Sequence, residues 1–201
     1  MVVLPDGSTV RLNSDSQLRF VSSFNSGKRR VTLNGEGFFE VTPDNSRPFI
    51  VEIQGLQIEV LGTSFNVSCY FDDPIITTFL ESGKVKINSS GRDDILLSPH
   101  EAYSYNKLTH ESVKMKLTDK HLSDWTKGLL TINAETLGEL AKKLERRFNI
   151  QIIFADNKVR NHIYTGSIKD EDLTTVLKAI EFASSVKYER NGNTVTLFSK
   201  H

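Results

Sequence analysis

Apolar residues recur along this chain in two rhythms, and the change falls near Leu117. From Val2 to about residue 115, short runs rich in Val, Ile, Phe, Thr and Tyr return every ten residues or so. Examples are Thr9-Val10-Arg11-Leu12, Gln17-Leu18-Arg19-Phe20, Arg30-Val31-Thr32-Leu33, Phe49-Ile50-Val51-Glu52 and Leu56-Gln57-Ile58-Glu59-Val60, followed by Ile75 to Leu80 and Lys84-Val85-Lys86-Ile87. Several alternate apolar and polar positions, the period-two pattern of a strand with one buried face. Pro5-Asp6-Gly7, Asn25-Ser26-Gly27, Pro43-Asp44-Asn45 and Ser89-Ser90-Gly91 punctuate them with turn chemistry. The pattern predicts an all-β module, a sandwich or a flattened β-solenoid-like unit, with rungs too uneven for a regular β-helix.

Past Leu117 the period lengthens. Leu137, Leu140, Ala141, Leu144 and Phe148 fall on one face of a helix, with Asn133 as its expected N-cap. Ile150 to Phe154 reads as a strand, and Ile163 to Ile168 as another. Leu173, Val176, Leu177, Ile180 and Ala183 mark a second helix, with Asp170 near its start. Val186–Arg190, Asn191-Gly192 and Asn193–Phe198 form a hairpin signal, since Asn-Gly suits a type I′ turn. The predicted fold class is therefore mainly β: the all-β module over residues 1–115, a junction over 116–127, and a small α+β domain (βαβ-βαββ) over 128–201. In that domain two helices cover one face of a small mixed sheet.

Composition narrows the function classes. Of 201 residues 38% are hydrophobic, enough for a core. The formal net charge is zero, which argues against nucleic acid as the main partner. The run Lys28-Arg29-Arg30 reads as a solvated turn or edge guard. Cys69 is the single cysteine, excludes an intrachain disulfide, and reads as a buried structural thiol. No apolar run is long enough to span a membrane. Met1 leads directly into strand-like Val2-Val3-Leu4, as expected of a segment of a longer protein.

Candidate chemistry is sparse. His100, His110, His121, His162 and His201 lack metal-ligand spacing. Asp72-Asp73 and Arg92-Asp93-Asp94 lack calcium-loop spacing. Gly35-Glu36-Gly37 has no third glycine and no following helix, so it reads as a bulge or a close backbone approach. Gly62-Thr63-Ser64-Phe65 lacks the nucleophile-elbow pattern, and a hydrolase built on Ser64 or Ser98 finds no support in spacing. No catalytic residue, metal site or cofactor is expected, and the chain is expected not to be an enzyme. Lys142, Arg146 and Arg147 read as a solvated helix face and are also the candidate side-chain contact surface. Thr194, Thr196 and Phe198, on the last strand, are the candidate sheet edge for strand addition.

Two segments carry a resemblance. Gly35-Glu36-Gly37-Phe38-Phe39-Glu40-Val41 and Leu61-Gly62-Thr63-Ser64-Phe65-Asn66-Val67 resemble the paired cores of the FecR family, with Gly37 at the usual alanine. Leu4-Pro5-Asp6-Gly7-Ser8, Leu80-x-x-Gly83-x-Val85 and Leu97-x-Pro99-x-Glu101 also fit, with His100 where glycine is common. The later strand and helix order resembles the secretin and TonB N-terminal fold that commonly follows in this family. Trp125-x-x-Gly128 and Arg146-Arg147-Phe148-Asn149 match that companion. Trp125, the only tryptophan, is expected to pin the two modules together.

The resemblance implies the periplasmic sensor region of a single-pass inner-membrane anti-sigma factor. Its implied partners are the signalling domain of a TonB-dependent outer-membrane receptor and, through a cytoplasmic segment absent from this chain, an extracytoplasmic-function sigma factor. Membrane attachment would be through a transmembrane helix also absent here, and the output would be regulated uptake of iron or another nutrient. The alternative is a glycan- or cell-wall-binding β module, with Tyr70, Phe71, Tyr103 and Tyr105 either stacking on sugars or filling the core.

Overall fold

The structure is a computed structural model, and it describes residues 1–21, 24, 27, 29–89, 93–117 and 121–200, with His121 described by its backbone alone. The expected turns at Asn25-Ser26 and Ser90-Gly91, together with Lys28, Arg92 and His201, lie outside the described residues. The chain divides into two compact units, Met1–Thr126 and Lys127–His201. Among the described residues no helix is long and apolar enough to cross a membrane.

The N-terminal unit is built of strands, as the period-two runs predict. In chain order they are β1 (Val2–Val3), β2 (Thr9–Leu12), β3 (Gln17–Phe20), β4 (Arg29–Glu40), β5 (Phe49–Ile53), β6 (Leu56–Val60), β7 (Ser64–Cys69), β8 (Ile75–Ser82), β9 (Val85–Ser89), β10 (Ile95–Leu97), β11 (Glu101–Asn106) and β12 (Ser112–Lys116). They form one curled sheet of order β10-β9-β6-β5-β4-β7-β8-β11-β12, with β2 and β3 also on β4 and β1 on β2. Twelve-residue β4 is what curls it. Its first half pairs with β5, in parallel, and with β3. Its second half pairs with β2 and β7. Both halves close on one core, in which Val31, Phe49, Ile58 and Ile87 meet Phe39, Phe65, Val67 and Leu80.

The hand-over between the two halves falls at Gly35. Its φ is +100°, and a Cβ there would lie 2.6 Å from the Cα of Ser16, so glycine is required by conformation and by space. The expected close backbone approach is therefore present. His100, at the other departure from the family's usual pattern, has a φ of 67°. That is the left-handed region glycine adopts without cost.

Arg29 corrects the reading of Lys28-Arg29-Arg30 as a solvated run. Its side chain is fully buried. Nη1 donates to Asp6 Oδ2 at 2.8 Å and to the Thr42 carbonyl at 2.7 Å, and Nε donates to the Arg47 carbonyl at 2.9 Å. The guanidinium also lies 5.6 Å from the centre of the Phe49 ring. Asp6 belongs to Leu4-Pro5-Asp6-Gly7-Ser8, so that segment supplies the counter-ion of a core arginine. Arg30, by contrast, makes a half-exposed ion pair with Glu52.

The C-terminal unit contains β13 (Leu129–Thr136), α1 (Leu137–Phe148), β14 (Gln151–Phe154), a 3-10 turn (Asn157–Asn161), β15 (Ile163–Lys169), α2 (Leu173–Ala183), β16 (Val186–Asn191) and β17 (Thr194–Ser199). The element order is as predicted. Its five strands split into an antiparallel pair, β13-β15, and a mixed sheet of order β14-β17-β16. Leu137, Leu140, Ala141 and Leu144 of α1 and Leu173, Val176, Leu177 and Ile180 of α2 are buried, in one core with Ile152, Val195 and Leu197. Asn133 is not the N-cap of α1, because β13 runs on through it. Thr136 caps the helix, accepting from Glu139 N–H at 3.2 Å while Glu139 Oε2 accepts from Thr136 N–H at 2.8 Å. Asp170 lies near the start of α2 as read, and Asp172 caps the helix, accepting from Thr175 N–H at 2.9 Å.

Candidate functional site

The two glycine-marked segments lie side by side. β4 and β7 pair antiparallel with Phe39 opposite Phe65 and Phe38 opposite Asn66. Period two then sends their side chains to two faces. On the core face the rings of Phe39 and Phe65 stack, 5.0 Å apart at 12°. On the opposite face stand Glu36 and Asn66. Glu36 Oε2 accepts from Asn13 Nδ2 at 2.7 Å, and Oε1 accepts from Asn66 Nδ2 at 2.9 Å. Asn66 Oδ1 accepts in turn from the Trp125 indole N–H at 3.1 Å. One asparagine that is 3% exposed thus joins the first segment, the second and the only tryptophan.

Trp125 is expected from the sequence to pin the two modules together; its indole contact is made within the N-terminal unit. Its hydrogen bond holds the 3-10 turn His121–Lys127 to the sheet of the N-terminal unit, and Arg11 Nη1 reaches the Thr126 carbonyl nearby at 3.4 Å. Gly62 explains the rest of the second segment. A Cβ there would sit 2.7 Å from the Cα of Pro43. Thr63 Oγ1 donates to the Lys84 carbonyl at 2.9 Å, and the Thr63 carbonyl accepts from Val41 N–H at 3.0 Å. Thr63 therefore satisfies backbone at a kinked strand start, as its sequence setting predicts.

Cys69 is buried and its Sγ lies 3.5 Å from the Leu33 carbonyl. Burial pushes its thiol up to about 12. That is the structural thiol expected, without nucleophilic character at neutral pH. Ser98 is a backbone position, its N–H held by Glu101 Oε2 at 2.7 Å. Among the described residues no group of His, Cys, Asp and Glu is placed to hold a metal ion. The aromatic platform of the glycan reading does not assemble. Tyr70 and Tyr103 are 5% and 1% exposed, Tyr105 is half-buried with its hydroxyl on His110, and Phe71 alone is open at 81%.

In the C-terminal unit the predicted contact residues divide into two groups. Lys142, Arg146 and Arg147 are half-buried on α1. Arg147 is engaged locally, donating from Nη2 to the Gly128 carbonyl at 3.0 Å and lying 5.9 Å from the Phe148 ring centre. Thr194, Thr196 and Phe198 share the half-buried face of β17, opposite buried Val195 and Leu197. β17 is not the edge it was expected to be. It pairs in parallel with β14 over Thr194–Leu197 and antiparallel with β16 over its whole length, so it is the central strand. An incoming strand finds its backbone already satisfied.

The true edges of this sheet are β14 and β16. β16 carries Lys187, Glu189 and Arg190, whereas β14, Gln151-Ile152-Ile153-Phe154, has no charged side chain. Gln151 N–H donates to the Asn193 carbonyl and Ala155 N–H to the Leu197 carbonyl, at 2.8 and 2.9 Å. Alternation along the strand turns the backbone groups of Ile152 and Phe154 away from β17. Ile153 is 43% exposed on the outer face, beside Thr196. Sequence reasoning missed this edge. Its signal was the absence of charge in β14 against the charges in β16.

Comparisons with known proteins fit this anatomy. The model of the FecR protein family matches residues 1–86, and the model of the FecR C-terminal domain matches residues 129–197. Two crystal structures of a protein from Parabacteroides distasonis ATCC 8503, assigned as an anti-sigma factor, superpose with TM-scores of 0.91 and 0.90. Each is 30% identical over 100% of this chain and 94% or 93% of the other. No curated protein matches the chain by sequence. With both domain models matched in order and the fold shared from end to end, the chain belongs to the FecR family of anti-sigma signalling regulators.

Proposed function

We propose that this chain is the periplasmic sensor region of a membrane-anchored FecR-type regulator and that it works by binding, not by catalysis. Its partner is the N-terminal signalling domain of a TonB-dependent outer-membrane receptor. Its output passes across the inner membrane to an extracytoplasmic-function sigma factor. The observation that carries this reading is the presence of both FecR domain models in one chain, the second forming a compact α+β unit with a charge-free strand edge. Strand addition at β14, with side-chain support from Lys142 and Arg146, is the docking mode we assign. Binding there would shift a conformational or proteolytic equilibrium of the regulator.

Titration calorimetry of the folded chain against the signalling domain of a TonB-dependent receptor from the same organism tests the reading. Saturable binding in the micromolar range or tighter is expected. No heat at high micromolar concentration, with both proteins folded, overturns it. Glycan binding has no comparable support, since Tyr70 and Tyr103 are buried and Tyr105 is half-buried.

A further inference from the structure

One row of side chains crosses the outer face of the N-terminal sheet. Arg11 of β2 stands opposite Phe38 of β4, Phe38 opposite Asn66 of β7, Asn66 opposite Phe79 of β8, and Phe79 opposite Ala102 of β11. Cross-strand partners share a face, so the row is continuous. Phe38, Phe79 and Ala102 are buried in it. Two of its members bond to adjacent residues of the turn His121–Lys127: Arg11 reaches the Thr126 carbonyl, and Asn66 the Trp125 indole. Phe38 lies between those two anchors, so the turn is seated over it.

This seat is separate from the core. Among the described residues, the core cluster on the inner face takes in neither Phe38 nor any residue of the turn. The turn also holds its own shape, with Thr126 Oγ1 donating to the Ser123 carbonyl at 2.7 Å. A short element set on the face away from the core can open while the rest of the domain stays folded.

The chain on either side gives that opening a consequence. Downstream, Gly128 already belongs to the C-terminal unit. Its φ is +79°, a Cβ there would lie 2.7 Å from Asp170 Oδ1, and its carbonyl accepts from Arg147 Nη2 at 3.0 Å. From Thr126 to Gly128 is two peptide steps, at most ~7 Å, with exposed Lys127 between them. Upstream, Leu117 N–H donates to the His100 carbonyl at 2.8 Å. Release of the turn therefore adds residues 118–127 to the connection, ~35 Å when extended.

We propose that the turn His121–Lys127 is a releasable latch that sets the length of the tether between the two units. Seated on Arg11, Phe38 and Asn66, it leaves Lys127 alone as slack. Unseated, it frees the whole stretch from 118 to 127 and uncovers Phe38, while the sheet stays folded. The device needs no partner, so it stands or falls apart from the function proposed above.

Amide exchange of the full chain at increasing urea tests the release. Amides of the turn are expected to be at least tenfold less protected than those of β4 and β7, with little urea dependence, as a local opening requires. Trp125→Phe, which keeps a ring and loses the N–H, is expected to lower protection of the turn about fivefold further. Turn amides that match β4 and β7 in protection and in urea dependence overturn the latch, and so does an unchanged turn in Trp125→Phe. Pulsed electron resonance reads the tether, with nitroxides at Gln54→Cys and Lys178→Cys, both exposed, and buried Cys69 left unlabelled. The double variant Arg11→Ala, Trp125→Ser is expected to broaden the distance distribution by on the order of 15 Å, as is an otherwise wild-type chain with about ten Gly-Ser residues inserted after Lys127. Broadening by the insertion alone overturns the latch as the control of tether length. Broadening by neither shows that this connection does not limit the units, and the proposal falls.

Discussion

Asn66 gives the most direct test of how the family's two segments cooperate. Replacing it with alanine removes two hydrogen bonds at once, from Nδ2 to Glu36 at 2.9 Å and from the Trp125 indole at 3.1 Å. The first is charge-assisted and contributes roughly 1.5–3 kcal/mol, and the second about 1 kcal/mol. Glu36 is half-buried and regains some hydration, which favours the low end of the first range. A net loss of about 2–3 kcal/mol follows for the N-terminal unit. With a urea m-value of about 2 kcal/mol/M, the midpoint falls by a little over 1 M. Trp125 is the only tryptophan and bonds within this unit, so its emission reports the transition directly. Trp125→Phe keeps most of the bulk and removes only the indole N–H, for about 1 kcal/mol. Followed by circular dichroism, a double-mutant cycle of the two should show coupling near 1 kcal/mol. A loss below about 0.5 kcal/mol in Asn66→Ala, or strict additivity in the cycle, refutes the network.

Three further outcomes follow from the same structure. Gly35→Ala must place a Cβ against the Ser16 backbone at positive φ, and should cost about 3 kcal/mol or prevent folding. Gly37→Ala meets the Phe39 ring at 3.1 Å and Leu33 Cδ1 at 3.5 Å, both side chains, and restores the family's usual residue, so it should change stability by less than about 1 kcal/mol in thermal melts. Asp6→Asn strips the counter-ion from buried Arg29 and should cost about 3–5 kcal/mol at neutral pH. Burial alone would raise the Asp6 carboxyl, but hydrogen bonds from Ser8 and Arg29 outweigh it and hold it below its ordinary 3.8. The stability it contributes is therefore complete above that value and is lost as pH falls through the lowered one; urea titrations at successive acid pH values should show a steeper decline in wild type than in Asp6→Asn, which keeps the decline from other lowered carboxyls such as Glu101 and Asp94. Cys69, with its thiol pushed up to about 12, should resist a chromogenic disulfide at pH 8, where ~10⁻⁴ of it is thiolate, and react fully only on unfolding.

What could be read from the sequence follows the range of the interactions. Period-two runs, the helical stripes of α1 and α2, and the Asn191-Gly192 turn are local, and each specifies its own element. The pairing of β17 with β14 joins Thr194 to Gln151 across four intervening elements, and nothing in either strand announces it. The hairpin at Asn191-Gly192 made the last strand look terminal in space because it is terminal in sequence. Arg29 was misplaced for a related reason. A buried charge is legible only with its partner, and Asp6 lies on the far side of β2 and β3. Thr136 displaced Asn133 as helix cap because the reciprocal pair with Glu139 satisfies two donors, where Asn133 would leave them in a strand. Gly35 was legible as a close approach, yet the residue it approaches, Ser16, was not.

The sharing of β4 between both halves of the curled sheet has a consequence for how this unit comes apart. A strand that gives its first half to β3 and β5 and its second half to β2 and β7 cannot be peeled from one half of the sheet without disturbing the other. Opening must start at the periphery, at strands with a single neighbour such as β1, β3, β10 or β12, the last with all its residues exposed. A protease acting on the native N-terminal unit would therefore nibble those outer strands first. The centre would then yield in a single cooperative step, giving the module two durable states and few in between.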